Sequence, residues 1–547
     1  MSNIPWLTLL LVMPVGGAIL LQLIPRTSPN ATKWFTVLIT LIEGAVVAGL
    51  IISFTHNPVG HDIVLPQGKQ PAPLTFQFEE QHDWIPKIGA SYHLGLDGVS
   101  AWLIGLDAFV FFLGAVVVTS RATDGRMRLF CSLLLVAQAA TMGVLLALDL
   151  LLFYSFWEGM LIPLYILLAS FGDRNRVRAT IKFIVYTVAG SFLMLISIIY
   201  LYTQQQPISS QFGSTSSFDL PAMMFNGIQQ HDPVVIPGIN LTLLTPLQFV
   251  FLGFAIAFAI KIPLFPFHTW APDSYASAPA PALTFFVGIV GKLGAFGFIR
   301  YCLALFPGPV HDFRWIIEGL AIASIIYGAL LALAQTDIKR IVAYASISHL
   351  GFVVLGIFSL SPNGVNGAVI QMVNHGVVIT ALFLVVDIVE QRCGTRDLRE
   401  ISGLEKRMPW FYAFFAVFTL AGLGMPGMNT FVGEFTIMLG AWQAAPVLAV
   451  LAGGGVILAC WYMLRMHQGL VMNPLSPAAE KARDLRVGEG TVLALLTAVI
   501  IALGVFPKPV GDVARSNVNQ YLTVANGPQP YQNLPPTGLV IPDGDAR

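Results

Sequence analysis

The stretch LDLLLFYSFWEGMLIPLYILLASFG, residues 148–172, is apolar and long enough to cross a lipid bilayer, yet it carries a glutamate, Glu158, near its middle. A transmembrane helix needs about 20 predominantly apolar residues, and this run supplies them. A charged carboxylate at mid-membrane costs at least about 2.5 kcal/mol. Glu158 therefore needs either a partner that offsets this cost or a function that requires it.

The whole chain shares this apolar character. Of its 547 residues, 56% are hydrophobic and only 11% are charged, and the mean hydropathy is +0.74. These values lie outside the range of soluble globular proteins. The formal net charge is zero, so the chain offers no basic surface to nucleic acid. The sequence predicts an all-α polytopic membrane protein whose partners are lipid and other membrane subunits.

The four cysteines are far apart in the sequence and follow no metal-binding spacing. They are Cys131, Cys302, Cys393 and Cys460. Zinc sites and iron–sulfur clusters use closely spaced Cys or Cys/His pairs, which are missing from this sequence. We therefore expect packed thiols and no metal in this chain.

Apolar runs of bilayer length predict about 14 transmembrane helices. The predicted spans are roughly 4–24, 33–54, 98–120, 127–147, 149–171, 180–203, 246–265, 281–305, 315–335, 340–360, 365–391, 409–440, 446–471 and 488–507. The predicted units are an N-terminal set of three helices, two sets of five, and a last helix with a tail. Their bounds are residues 1–120, 127–305, 315–471 and 488–547.

Lysine and arginine are unevenly distributed between the two ends of these helices. Most lie in connections that follow odd-numbered helices. Few lie in connections that follow even-numbered helices, and Arg300 and Arg314 are counted among these few. Because basic residues collect in cytoplasmic loops, this asymmetry predicts that both termini lie on the outer side. Two long outer loops, residues 55–97 and 204–245, are expected to cap the bundle.

Two predicted helices are broken at corresponding places. The seventh contains FAIKIPLFPFHTWAPD, residues 258–273, and the twelfth contains GLGMPGMNTFVGEF, residues 422–435. Paired interruptions of this kind indicate inverted repeats around an ion path at mid-membrane, so helices 4–8 and 9–13 are predicted to be two inverted five-helix repeats. For either break alone, a simple proline kink is the alternative.

Each predicted repeat contains ionisable residues within its membrane helices. They are Glu158, Lys261 and Lys292 in the first repeat, and His349, His375 and Glu434 in the second. A series of titratable groups is what proton transfer across a bilayer requires. Alternatively, Glu158 and Lys261 form a static ion pair, and the two histidines are hydrogen-bonded core residues.

Four further ionisable residues have a less definite place. His268 is expected to line or cap the broken seventh helix, and Asp149 is expected at the membrane edge. Glu43 and Asp107 lie inside predicted helices 2 and 3, outside both repeats. The sequence assigns these last two carboxylates no role.

Six stretches of the chain resemble the M-type antiporter-like subunits of respiratory complex I. They are LGLDGVSAWLI (94–104), DLLLFYSFWEGMLIPLYILLASFG (149–172), KIPLFPFHTWAPDSYASAPAP (261–281), GKLGAFGFIRY (291–301), TDIKRIVAYASISHLGF (336–352) and GMPGMNTFVGEF (424–435). The resemblance extends from about residue 90 to 470, and the family has the predicted helix count. TWAPD and SAPAPAL depart modestly from the family's usual Leu-Pro-Asp and Ala-Pro-Thr patterns, and Asp107 is unusual.

The resemblance implies a role for five of these residues. Glu158 and Lys261 would be the pair that tunes the first half-channel, and Lys292 would be the central relay. Glu434 would exchange protons with the outer side, and His349 would line the axis between them. Sibling subunits of complex I and related sodium/proton antiporter subunits usually have lysine where this chain has Glu434, so the glutamate favours the M-type subunit.

The resemblance also implies what other subunits would supply. Electrons would pass from NADH, or from ferredoxin in photosynthetic relatives, through FMN and iron–sulfur clusters to quinone, with no cofactor in this chain. L-type and N-type antiporter-like subunits would be its neighbours, and a bacterial plasma membrane would be its location. The sequence lacks a Gly-rich dinucleotide fingerprint, which agrees with a chain that carries protons only.

Three other functions stay open from the sequence. One is a subunit of a multi-subunit cation/proton antiporter, which Glu434 argues against. Another is the proton-pumping arm of a membrane-bound hydrogenase or formate-oxidising complex, which gene neighbours would exclude. The third is a non-conducting scaffold, for which replacement of Lys292 would leave pumping intact.

Overall fold

The computed structural model describes most of the chain as helical. The described residues are 4–25, 27–56, 74–121, 125–205, 216–226, 235–236, 241–242 and 244–527. Parts of both predicted outer loops, including residues 57–73 and 206–215, and the end of the predicted tail after residue 527 lie outside the described residues.

The described part of the chain contains 21 α-helices and two small antiparallel hairpins. The helices are α1 Trp6–Leu20, α2 Pro29–His56, α3 Gly98–Thr119, α4 Met127–Leu146, α5 Leu150–Gly159, α6 Leu161–Phe171, α7 Arg176–Thr203, α8 Leu220–Asn226, α9 Pro246–Lys261, α10 Trp270–Ser277, α11 Ala280–Phe285, α12 Gly291–Gly297, α13 Leu303–Leu305, α14 Pro307–Ala334, α15 Ile338–Phe358, α16 Pro362–Cys393, α17 Pro409–Gly422, α18 Asn429–Ala444, α19 Pro446–His467, α20 Val487–Val505 and α21 Lys508–Asn526. The strands are β1 Gln77–Ile85, β2 Ala90–Leu96, β3 Val235–Ile236 and β4 Leu241–Thr242.

Twelve helical segments among the described residues are long and apolar enough to span a membrane. Two shorter apolar helices, α9 and α17, stand at the places of the predicted seventh and twelfth helices. Each is followed by an irregular segment and a second helix, α10 or α18, so both predicted breaks are present. The expected all-α membrane architecture is confirmed, and the inverted relation of the two repeats stays a prediction.

Three features differ from the predicted spans. The fifth predicted helix is interrupted at Met160, between α5 and α6. Residues 77–96 of the first outer loop form the hairpin β1–β2. The predicted tail contains α21, which buries one face that includes Val510, Ala514 and Val518. This helix is amphipathic and has no apolar run of bilayer length, so hydropathy along the sequence does not predict it.

The hairpin β1–β2 ties together one end of the bundle. Glu80 of β1 accepts hydrogen bonds from the backbone N–H groups of Leu7 and Thr8 over 2.7 and 2.9 Å, which holds the start of α1. Asn517 of α21 accepts from the backbone N–H of Gly98 at the start of α3 over 2.8 Å. The start of α1, the hairpin and α21 therefore lie at the same end of the molecule.

A buried ion pair between Asp97 and Arg300 joins four segments at this end. Arg300 was predicted to belong to an outer connection, but the structure places it inside the eighth membrane helix with no solvent exposure. Its guanidinium lies 2.9 Å from Asp97 and donates to the Leu145 carbonyl oxygen over 2.8 Å. The Tyr521 hydroxyl donates to Asp97 over 2.6 Å. Arg300 was counted with a connection although the predicted span 281–305 contains it, because its compensating partner, Asp97, lies about 200 residues away in the sequence.

Replacing Arg300 should destabilise the fold. Arg300→Met leaves the buried Asp97 carboxylate without its cation, and breaking a buried pair from one side costs about 3–5 kcal/mol. We expect a clear fall in the Tm of the solubilised protein. Lys508→Met is the matched control, because Lys508 is 85% exposed and lies 4.0 Å from Asp512. An unchanged Tm in Arg300→Met would contradict the structural role of the pair.

His93 of β2 is a second buried charge outside the membrane helices. Its Nδ1 lies 2.5 Å from Asp219 and its Nε2 lies 3.2 Å from Glu79. Burial alone would lower the pKa of His93, but hydrogen bonds and charge interactions with these two carboxylates overcome it and raise the pKa to about 9. A protonated His93 therefore connects β1, β2 and the segment that leads into α8.

This contact should give the hairpin a defined pH dependence. Because the folded pKa is raised above the ordinary value of 6.5, the stabilisation is fully present below about pH 6.5 and is lost as the pH rises through about 9. We expect hydrogen–deuterium exchange protection of residues 90–96, corrected for the intrinsic exchange rate, to fall across this interval. His93→Gln should remove the transition, and a pH-dependent loss that persists in this variant would refute the assignment.

Candidate functional site

A buried hydrogen-bonded network surrounds Glu434, which lies in α18 just after the second break. Glu434 is 3% exposed. His349 Nδ1 of α15 lies 2.5 Å from Glu434 Oε1, and Gln371 of α16 donates to the same oxygen over 3.1 Å. The Tyr462 hydroxyl of α19 lies 3.2 Å from His349 Nε2. Four helices thus hold a carboxylate against an imidazole at a distance that allows proton transfer.

His375 of α16 extends this network. Its ring centroid lies 5.9 Å from that of His349, and the side chain is buried. Neither ring nitrogen has a hydrogen-bonding partner among the described residues. Since buried polar groups usually have partners, this ring is not held by structural hydrogen bonds of the kind expected for a core histidine. Both nitrogens are available for proton exchange.

Lys292 lies next along this series, fully buried in α12. Its Nζ donates to the Val287 carbonyl oxygen over 2.6 Å, and its charge is within electrostatic range of His375. Val287 belongs to a π turn that interrupts the eighth helix. Such turns are frequent at functional sites. We call the resulting series the central row; it consists of Lys292, His375, His349 and Glu434.

Lys261 and Glu158 stand near each other without forming an ion pair. Lys261 is the last residue of α9, and Glu158 lies in the last turn of α5. Each is within electrostatic range of the other, but no salt bridge joins them in the described structure, and Lys261 Nζ has no hydrogen-bonding partner there. Instead, Nζ lies 4.7 Å from the centroid of the Trp157 ring. The static ion pair considered from the sequence is therefore not formed.

Glycines bring the helices of the two lysines close together. A Cβ at Gly294 of α12 would lie only 2.6 Å from the Phe258 carbonyl oxygen of α9, and one at Gly297 would meet the Phe258 ring at 2.5 Å. A Cβ at Gly291 would lie 4.0 Å from the carbonyl oxygen of Lys261. The spacing of glycines in GKLGAFG thus allows the end of α9 to pack directly against the turn that carries Lys292.

Asp149 and His268 lie outside the central row. Asp149 caps α5: one carboxylate oxygen accepts from the Leu151 N–H over 2.9 Å, and the other accepts from the Ser91 N–H over 2.9 Å. These bonds give Asp149 a structural role at the helix start. His268 lies in the break between α9 and α10, with its ring centroid 5.7 Å from that of Tyr327.

Three contacts of the site were missed in the sequence. Gln371 lies one turn before His375 on α16, and this four-residue spacing is the signal that could have linked them. Trp157 directly precedes Glu158, but nothing in the sequence shows that its ring faces Lys261. Tyr462 gives no local signal, because α19 meets α15 only in the folded chain.

The chemistry of the site is proton exchange among carboxylate, imidazole and amine groups. The described residues contain no group of three His, Cys, Asp or Glu side chains arranged to hold a metal ion. The four cysteines are unpaired thiols, of which Cys131 and Cys302 are buried. Every group of the central row can both accept and release a proton.

Comparison with known proteins assigns these features to one family. The model of the family described as NADH:quinone oxidoreductase/Mrp antiporter, transmembrane, matches residues 147–460, which include both breaks and the central row. NADH-quinone oxidoreductase subunit M of Mycobacterium tuberculosis is 34% identical to this chain, over 98% of this chain and 97% of that protein.

Solved structures share the fold. A chain of respiratory complex I from Thermus thermophilus with bound NADH matches with a TM-score of 0.79 and 29% identity, over 94% of this chain and 99% of that chain. A chain of the Mrp complex from Dietzia sp. DQ12-45-1b has a TM-score of 0.78 and 20% identity, over 96% and 100% of the two chains, and is similar in fold alone. From the identity and coverage of these matches, the chain belongs to the family of NADH-quinone oxidoreductase subunit M.

Proposed function

We propose that this chain translocates protons in the membrane arm of an NADH-quinone oxidoreductase and that the central row is its proton path. The observation that carries the proposal is the series Lys292, His375, His349 and Glu434, four neighbouring buried ionisable side chains on α12, α16, α15 and α18. In a bilayer, ionisable side chains are costly and normally mark ion or proton paths. Glu434 would exchange protons with one aqueous side.

The Glu158–Lys261 pair would control entry to this path. Lys261 has two attractions that compete for its ammonium group, the Trp157 ring and the Glu158 carboxylate. A cation–π contact is worth about 0.5–2 kcal/mol, so a modest change in the charge of Glu158 is enough to move the ammonium. Because α9 packs on α12, such a movement would alter the electrostatic surroundings of Lys292.

The driving energy would come from partner subunits. Moving one charge against the membrane potential costs about 2.3 kcal/mol per 100 mV, and acid–base groups alone supply no such energy. We place NADH, FMN, iron–sulfur clusters and quinone on other subunits of the complex, and L-type and N-type antiporter-like subunits beside this chain. We also propose a bacterial plasma membrane as its location, with both termini on the outer side.

A cation/proton antiporter subunit is the second candidate. The fold is shared with a chain of the Mrp complex at 20% identity, whereas identity to NADH-quinone oxidoreductase subunit M reaches 34%. Glu434 forms a hydrogen-bonded carboxylate–imidazole pair with His349, and a lysine at 434 would not accept these bonds. Both observations favour the oxidoreductase.

Replacing Glu158 tests the control of entry. Glu158→Gln removes the charge that acts on Lys261 while keeping the side-chain size. General acid–base groups typically contribute about 10²–10⁴ in rate, so we expect electron transfer from NADH to quinone and the accompanying proton gradient to fall at least about tenfold. Reduction of an artificial acceptor by the peripheral arm should survive.

Glu318→Gln is the matched control for this variant. Glu318 is also a buried helical glutamate, but it lies in α14 and pairs with Arg314 over 3.1 Å. It should retain both activities. Normal quinone reduction and a normal gradient in Glu158→Gln would mean that Glu158 is only a helix contact.

Replacing Lys292 tests the central row directly. Lys292→Met keeps the length and apolar stem but removes the titratable amine, so we expect proton pumping to be abolished in vesicles that contain the assembled complex. Lys339→Met is the control, because Lys339 is similarly buried and also donates to a backbone carbonyl, that of Ala278, over 3.1 Å. If Lys292→Met pumps normally, the chain is a scaffold in the membrane arm.

A further inference from the structure

The two oxygens of the Glu434 carboxylate have different surroundings. Oε1 faces the central row, where His349 Nδ1 lies 2.5 Å away and the Gln371 amide donates over 3.1 Å. Oε2 has no hydrogen-bonding partner among the described residues, yet it is not fully enclosed by their atoms. Buried polar groups normally have a partner, either in the protein or in water. Oε2 is therefore the side of Glu434 on which a water molecule can bind.

Gly424 lies directly against this free oxygen. It belongs to the second break, the irregular segment formed by residues 423–428 between α17 and α18. A Cβ added at Gly424 would lie 3.3 Å from Glu434 Oε2. Apart from the neighbours of Gly424 in the chain, no other atom of the described structure lies within 4 Å of that Cβ position. The space beside this glycine is therefore open except for the carboxylate oxygen.

The second break lies at the surface of the chain. Met425 is 42% exposed, and Pro426 and Gly427 are exposed as well. Leu423 and Gly424, on the side of α17, are partly buried. Gly424 therefore lies between the buried carboxylate and an exposed segment of backbone.

The interface between α16 and α18 is closed beyond Glu434. A Cβ at Gly367 of α16 would lie 2.8 Å from the Ile437 backbone nitrogen of α18. A Cβ at Gly440 of α18 would lie 2.2 Å from the Gly364 backbone nitrogen of α16. Ile437 and Gly440 follow Glu434 by about one and two helical turns. The two backbones are therefore in direct contact there, and no water fits between them at these positions.

Helices α19 and α20 cover the second break on two other sides. The Cys460 thiol of α19 donates to the Leu423 carbonyl oxygen over 3.7 Å. A Cβ at Gly504 of α20 would lie only 2.4 Å from the Gly427 carbonyl oxygen. Among the contacts of the described residues, the side at Gly424 is thus the one that leaves the carboxylate open.

We propose that Gly424 is a positioning residue whose missing side chain keeps Glu434 Oε2 open, and that protons of the central row enter or leave Glu434 at this oxygen. This inference rests on the proposed proton path and specifies where the path ends in this chain. The acceptor or donor at Oε2 is water on the side of the second break.

The transfer consists of acid–base steps alone. Protonated His349 gives its proton to the Glu434 carboxylate and becomes neutral. The carboxyl group then turns about its last side-chain torsion, which has broad, roughly two-fold minima, so that the protonated oxygen faces Gly424. A water molecule there accepts the proton, and the carboxylate is restored. The reverse order of steps brings a proton in.

An added methyl group would obstruct both the turn of the carboxyl group and the exchange with water. A water molecule hydrogen-bonded to a carboxyl oxygen lies about 2.5–3.0 Å from it. The Cβ of Gly424→Ala, 3.3 Å from Oε2, would occupy the position of this water. Even the smallest side chain should therefore hinder proton exchange at Glu434.

The test compares protons pumped per NADH oxidised by the assembled complex in sealed vesicles. We expect this ratio to fall severalfold in Gly424→Ala. Gly427→Ala is the matched control, because Gly427 lies in the same break and also has a positive φ, +92° against +74° at Gly424. The Cβ of Gly427→Ala would meet no atom of the described structure within 4 Å. Both variants strain the backbone, so an equal ratio in the two would overturn the proposal.

Gly424→Ser separates proton exchange from packing. Serine has the same Cβ as alanine and adds a hydroxyl group that both accepts and donates a hydrogen bond. This hydroxyl can take the place of the water and pass a proton to or from Oε2. We therefore expect a higher ratio in Gly424→Ser than in Gly424→Ala, although the side chain is larger. A ratio at or below that of Gly424→Ala would mean that glycine is needed only for packing, and would refute the proposal.

Two further variants keep the result decisive. If Gly424→Ala fails to assemble, Gly424→Asn takes its place, because asparagine tolerates a positive φ and its amide does not titrate. Normal pumping in Gly424→Asn would count against the opening. If Glu434→Gln pumps normally, the proposed path itself fails. If Glu434→Gln abolishes pumping while Gly424→Ala pumps normally, only the opening at Gly424 fails.

Discussion

The cost of placing charge inside a bilayer governs this structure. Where the chain must fix helices, it compensates the charge completely. Arg300 has Asp97 as its counter-ion and also donates to the Leu145 carbonyl and the Ser100 hydroxyl, while Tyr521 supports Asp97. This one buried group connects α3, α4, the eighth helix and α21, so these four segments are held in a common frame.

In the broken helices, backbone groups that lose their helical hydrogen bonds must likewise be compensated inside the protein. Proline interrupts the hydrogen-bonding pattern of α9, and the freed groups must find partners within the protein. The Trp270 indole donates to the Ile260 carbonyl oxygen over 2.8 Å, and the Ser324 hydroxyl accepts from the Phe265 N–H over 2.7 Å. These contacts fix the position at which α9 ends, and therefore fix where Lys261 stands relative to α12.

The sequence was sufficient for the membrane class, the positions of the spans and the two breaks, because hydropathy and proline act locally along the chain. It was insufficient for contacts that depend on packing. Arg300 was assigned to a connection because a buried arginine needs a counter-ion, and its counter-ion, Asp97, is not near it in the sequence. The contact between the Trp157 ring and Lys261 could not be predicted, because residue spacing does not show which way the ring points. The amphipathic α21 lacks the apolar run on which the count of helices depended.

Buried charged groups with partners have structural roles in this fold, whereas groups with free polar atoms belong to the proposed proton path. Asp149, His93 and Arg300 each have partners on two or more other segments, and each joins parts of the fold. His375 and Lys261 have polar atoms with no hydrogen-bonding partner in the described structure. A proton carrier must bind and release a proton with little change in free energy, and a group with a free ring nitrogen or amine can do so without breaking a hydrogen bond. Free hydrogen-bonding capacity on a buried titratable group is therefore a property that suits a proton path, and His375 has it within electrostatic range of Lys292.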